Sequence, residues 1–165
     1  MTVTYVDIRE RKKKVEKAQN ERINLIYSEA VALVNAYKNS LEIESDAWLD
    51  FDGIPQPYVM TGLIYGENFR KAGLTSIELS SDYAINFTIA TVVDDSNRGG
   101  DTVLVNISLF VDDNVVTVIV GNEEQEYPII DGNLVNICNA IKDQVLFGID
   151  DPNLISRNRN GFDIT

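Results

Sequence analysis

Histidine is missing from the whole chain, and cysteine occurs once, at Cys138. The first absence removes the usual general base near neutral pH, every Ser-His-Asp or Cys-His nucleophile pair, and any histidine-containing zinc site. Carboxylates, Lys, Tyr or a carboxylate-held Mg²⁺ remain as chemical groups, so the expectation shifts away from an enzyme without closing that door. The single cysteine excludes an intramolecular disulfide, which fits a reducing, cytoplasmic setting. Long apolar runs are lacking too. Val115 to Val120, interrupted by Thr117, is far shorter than a bilayer span, so no membrane segment is expected. The opening Met1-Thr2-Val3-Thr4-Tyr5 turns charged with no apolar signal core behind it, and no secretion is expected.

What is present suffices for a folded core. Of 165 residues, 44% are apolar, enough for a hydrophobic interior without disulfide or metal staples. Acidic residues number 26 against 14 basic ones, a net charge of −12. The distribution is uneven. Residues 1–22 hold seven basic residues (Arg9, Arg11, Lys12, Lys13, Lys14, Lys17, Arg22) against four acids, net +3; residues 23–165 hold seven against twenty-two, net −15. A body of that charge repels nucleic acid and anionic membrane and attracts basic partners, although acidity also serves plain solubility.

The apolar spacing predicts one long amphipathic helix from Asp7 to Ser40, with Val15, Ala18, Ile23, Ile26, Ala30, Leu33, Tyr37 and Leu41 at three- and four-residue steps. Asp7 with Glu10 has the spacing of a capping box. The stripe is thin before Val15 and broad after Ile23, so the first turns are expected to project and the later ones to dock. Residues 42–75, punctuated by Gly53, Gly62, Gly66, Gly73, Pro55 and Pro57, read as an irregular connector, with a short helix from Glu67 to Ala72 closed by Gly73.

A period of two then sets in. Tyr83 to Thr91 carries its large apolar side chains at odd positions, and Val103, Val105, Ile107, Leu109 and Val111 repeat the pattern. Asp112-Asp113-Asn114 suits a tight hairpin, Val115 to Val120 is the next strand, and Gln125 to Ile130 closes an antiparallel meander with Pro128 marking an edge. Asp131-Gly132-Asn133 starts a second helix whose buried stripe is Leu134, Ile137, Cys138, Ile141, Val145 and Leu146, ended by Gly148. The expectation is an α+β domain over 1–148: a four-stranded antiparallel meander with the N-terminal and C-terminal helices packed on one face, followed by a polar tail, 149–165.

No motif names a chemistry. Asp50-Phe51-Asp52-Gly53 has the spacing inside a calcium loop, but Trp48 and Val59 stand where two further ligands are required, so a structural turn is the favoured reading. Gly99-Gly100 lacks the lysine and helix of a phosphate loop. The basic run Arg9 to Lys17 is broken by Glu10 and Glu16 and holds no aromatic, which favours a solvated helix face over phosphate contact; intramolecular contact with the acidic body, or an oligomer contact, is a second use for it.

The remaining candidates are surfaces. Trp48, Phe51 and Tyr58 lie among Asp46, Asp50 and Asp52, aromatic anchors rimmed by charge as in many binding hot spots. Burial of Trp48 and Phe51 as ordinary core over one end of the sheet is nonetheless the favoured reading. Asp94 and Asp95, Glu123 and Glu124, and Glu126 lie at strand ends and are expected to gather into one negative rim. The function expected from these features is a non-enzymatic acidic protein, of inhibitor, immunity, antitoxin or mobile-element accessory kind, engaging a basic protein partner, with no cofactor. A structural subunit of a homo-oligomer or larger assembly is the alternative from another class, and a carboxylate-based metal enzyme the third.

Overall fold

The computed structural model describes residues 2–122 and 125–151. The chain runs α1 (Tyr5–Ser40), β1 (Ala47–Leu49), β2 (Pro55–Pro57), β3 (Val59–Tyr65), β4 (Asn68–Lys71), a 3-10 turn at Leu74–Ser76, β5 (Ile85–Val92), β6 (Thr102–Asp112), β7 (Val115–Val120), β8 (Glu126–Pro128) and α2 (Val135–Asp150). It is α+β with antiparallel sheets, as the alternation implied. The main sheet has six strands in the order β4-β3-β5-β6-β7-β8, however, not four, and β1 and β2 form a separate two-stranded sheet.

The two extra strands come from the stretch expected to be a connector. Tyr65 pairs with Asn68 across Gly66-Glu67, and Gly66 takes φ +63°, which makes the two-residue hairpin turn available. The helix expected over 67–72 is therefore strand β4. Its Phe69 ring fills the place a side chain would take at Gly62, where a Cβ would also fall 2.0 Å from the Arg70 carbonyl oxygen. Only glycine lets the two backbones approach so closely.

The anticipated meander is present. Ile85, Phe87, Ile89 and Thr91 on β5 lie opposite Leu109, Ile107, Val105 and Val103 on β6, and Ile107, Leu109 and Val111 lie opposite Val120, Val118 and Val116 on β7. These residues form one face, and all are buried except the half-buried Val111. Asp113 and Asn114 both take positive φ, +48° and +64°, in a two-residue hairpin between Asp112 and Val115. Pro128 lies on β8, at the sheet edge, where a missing amide donor costs no ladder bond.

Both helices cover that apolar face. Ile26, Ala30, Leu33, Val34 and Tyr37 are the buried residues of α1, and the Tyr37 hydroxyl shares a 2.8 Å hydrogen bond with Thr91 Oγ1 beneath it. The Tyr27 hydroxyl donates to the Ile77 carbonyl, and Lys142 Nζ of α2 donates to the Ser40 carbonyl at 2.9 Å, tying the end of α1 to its neighbour. Two details of α2 depart from the sequence pattern. Leu146 is exposed, not part of the buried stripe, and Gly148 does not end the helix, which continues to Asp150. Gly148 instead presses on the sheet: a Cβ there would meet Val103 Cγ1 at 2.4 Å. Of the expected tail, residues 149 and 150 are helical, and 152–165 lie outside the described residues.

The opposite face was expected to be overlaid by residues 42–75 or by another subunit. Within the main sheet, β3 and β4 extend it edge-on rather than lying across it. Thr88, Ala90 and Thr117 are nonetheless buried on that face, with Met60 and Leu104 flanking Ala90 on the neighbouring strands and Phe110 opposite Thr117. Thr88 Oγ1 donates to Asn106 Oδ1 at 2.8 Å across the ladder.

The first half of α1 stands apart. Every residue from Thr2 to Arg22 is exposed along about 27 Å of helix, Tyr5–Arg22, whose Val15, Ala18 and Arg22 border an open groove with Val111 and Asn114 of the β6–β7 hairpin. Its start is fixed locally. Thr4 is the N-cap: its Oγ1 accepts from the Asp7 amide at 3.3 Å, while Asp7 Oδ2 accepts from the Thr4 amide at 2.9 Å. The capping box is thus Thr4 with Asp7, one step earlier than the expected Asp7 with Glu10, because Thr4 holds the extended backbone a cap requires.

Candidate functional site

Five of the eight residues singled out from sequence belong to two loops that meet at one corner. The β1–β2 hairpin supplies Trp48, Asp50 and Asp52, and the loop from β5 to β6 supplies Asp94 and Asp95. The indole of Trp48 joins the loops: it lies over Gly100, where a Cβ would be 3.1 Å from Trp48 Cη2, and its Nε1 donates to the Pro57 carbonyl at 3.3 Å. Gly100 at φ +98° supplies both the turn and the space.

The carboxylates divide by task. Asp50 builds its own turn, with Oδ1 accepting from the amides of Asp52 and Ile54 at 2.9 Å each and Oδ2 accepting from Gln56 Nε2 at 3.0 Å. The amide of Ile54, followed by Gln56, holds the Asp50 carboxyl below its ordinary range, so it stays ionised. This is the structural turn favoured for the D-x-D-G spacing. Asp94 is also local: its Oδ1 accepts from Ser96 N at 3.0 Å and Ser96 Oγ at 2.7 Å, and its carbonyl accepts from the Gly100 amide at 2.7 Å. Asp95 Oδ2 accepts from the Tyr58 hydroxyl at 2.8 Å, clamping the loop to the chain before β3, and that bond pushes the Tyr58 pKa up. Asp52, at the hairpin tip, is exposed.

Two more residues complete the corner: Phe51, expected to be buried as core, and Arg98, not singled out from sequence. Phe51 is 70% exposed, and the Arg98 guanidinium lies 5.3 Å from its ring centroid. This cation–π contact bridges the hairpin and the loop that carries Asp94 and Asp95. The signal for Phe51 was available, since it sits inside the D-x-D-G run. The role of Arg98 was not, because nothing local links residue 98 to residue 51.

Of the residues expected to form one rim, Glu126 lies apart from Asp94 and Asp95. The β7–β8 turn and the β5–β6 loop do lie toward the same end of the sheet, but β7 stops with Val120 opposite Ile107, whereas β6 runs back to Thr102. Glu126 pairs with Ile119 at the level of Ser108, six strand residues and about 20 Å from the start of β6. Glu126 faces instead a cleft of about 660 Å³ between β8 and α2, together with Asp131 and Asp143. Glu123 and Glu124 lie outside the described residues.

Among the described residues, no group of three or more acidic or cysteine side chains is arranged to hold a metal ion, and no helix is long and apolar enough to cross a membrane. Cys138 is buried on α2, where burial pushes its thiol pKa up. Compared with known proteins, the chain matches no family model, no curated protein and no solved structure.

Proposed function

We propose that this chain is a non-enzymatic acidic protein-binding protein whose Trp48–Phe51 corner engages a basic segment of a protein partner. The observation that carries the reading is the Arg98 guanidinium over Phe51, 5.3 Å from the ring centroid. The corner accommodates a cation of its own, on an exposed aromatic face beside carboxylates. An incoming arginine or lysine meets the same chemistry: the ring quadrupole, the Asp52 and Asp95 carboxylates, and the long-range attraction of a body at net −15. Asp50 stays charged because its own turn stabilises the anion.

The sole tryptophan provides the test. Titration with an arginine-rich peptide should change Trp48 emission in low salt and lose most of its affinity at about 0.5 M salt, where the Debye length falls to a few ångströms. Phe51→Ala and Asp52→Asn/Asp95→Asn should each weaken binding about tenfold. Binding that ignores salt, or that survives both variants, would sink the proposal.

A second reading, a subunit of a larger assembly, is favoured by a separate observation: the exposed first half of α1.

A further inference from the structure

The first half of α1 carries an exposed apolar and basic face, whose Val15 end borders Val111 and Asn114 of the β6–β7 hairpin. Ile8 and Val15 lie two turns apart with Arg11 and Lys12 between them, the i, i+3, i+4, i+7 set that shares one side of a helix. Ile8 is 57% exposed and Val15 47%. Lys12 pairs with Glu16 of the same helix at 3.6 Å. A helix in water that presents apolar residues between like charges is built for a groove with an apolar floor and the opposite sign on its rim.

The chain carries such a groove. The cleft between β8 and α2 has Tyr127, Pro128 and the 61% exposed Ile130 along one wall, Ile137 and Ala140 at its floor, and Glu126, Asp131 and Asp143 on its rim, with no lysine or arginine lining it. From Asn136 to Asp143 the α2 wall of the cleft rises about 10 Å, the same two turns that separate Ile8 from Val15. The cleft lies beside the packed region, whereas the arm is one continuous helix leading away from it. Contact between them therefore requires two molecules.

We propose that the first half of α1 docks in the β8–α2 cleft of a second copy of this chain. The contact is head to tail: the surfaces that meet are different, so each bound copy still offers one free arm and one free cleft. Such association closes into a ring or continues as a filament, according to the rotation between copies. Arg11 and Lys12 face Asp131 and Asp143, and Ile8 and Val15 cover Ile130 and Tyr127. The surfaces involved are not those of the Trp48–Phe51 corner, so this contact and the partner proposed there stand or fall separately.

Light scattering on the full chain in low salt tests it. The wild type at about 100 µM should exceed the one-chain mass, and salt should lower that mass. Arg11→Glu/Lys12→Glu removes the arm's charge match, and Ile130→Glu spoils the cleft while keeping it acidic; each should stay at the one-chain mass. All three positions are exposed, and circular dichroism identical to wild type establishes that the variants fold. Mixed one to one, the two variants should form pairs and nothing larger, because only the intact arm of one and the intact cleft of the other remain. A wild type that stays at one-chain mass, an Ile130→Glu chain that still associates (the outcome of arm-to-arm pairing), or a mixture that fails to pair would each overturn the proposal.

Discussion

The two halves of α1 share one unbroken helix and differ in almost everything that holds them. From Ile26 to Tyr37 the helix lays Ile26, Ala30, Leu33, Val34 and Tyr37 on the sheet, all at 5% exposure or less. From Tyr5 to Arg22 no residue is buried, and the helix rests on a capping box, propensity and an i,i+4 ion pair. Local terms of that kind are each worth tenths of a kcal/mol to about one, whereas burial of a large side chain is worth two or three. The contrast shows that helical form and helical stability are set separately. The first half takes its form from local sequence and continuity, and the second half provides the anchor.

The comparison breaks if the two halves respond alike to truncation. Leu33→Ala should cost about 2–5 kcal/mol, read as a lower urea midpoint, while Val15→Ala should move it by less than about 0.5 kcal/mol. Equal losses would mean that the arm packs against something in solution. A smaller effect sits beneath the anchored half: Tyr37→Phe deletes the hydrogen bond to Thr91 and leaves that buried hydroxyl to find another partner, at about 1–2 kcal/mol by the same measurement.

The smallest effect belongs to the cap. The amide and hydroxyl of Thr4 lower the pKa of Asp7, so the cap is fully formed above the ordinary carboxylate value of 3.8 and is lost as pH falls through the depressed folded value. Thr4→Ala should speed amide exchange over the first turns and leave the urea midpoint unchanged. A shifted midpoint would show that the cap supports more than its own turn.

The legible parts of the fold were those where one period ran uninterrupted. The stripe of α1 and the alternation in β5, β6 and β7 followed directly from residue spacing, because each of these elements buries one face. What escaped was short or borrowed its stability from elsewhere. Asn68-Phe69-Arg70-Lys71 contains a single large apolar residue, and its strand state rests on Phe69 filling the space over Gly62, seven positions back along the chain. Leu146 fitted the helical period but lies on the exposed side, while Gly148, read as a terminator, is a close contact with Val103. At the corner, the acidic and aromatic residues were visible from sequence. The seat of Arg98 on Phe51 emerged only once two distant loops met.

The 36-residue length of α1 has a consequence for any measurement of size. A compact chain of 165 residues has a radius of gyration of about 15 Å, whereas a helix of that length rises about 54 Å. One chain therefore tumbles as an elongated particle and elutes from a sizing column ahead of a sphere of equal mass. Column position alone would overstate the mass of one chain, whereas scattered light weighs it.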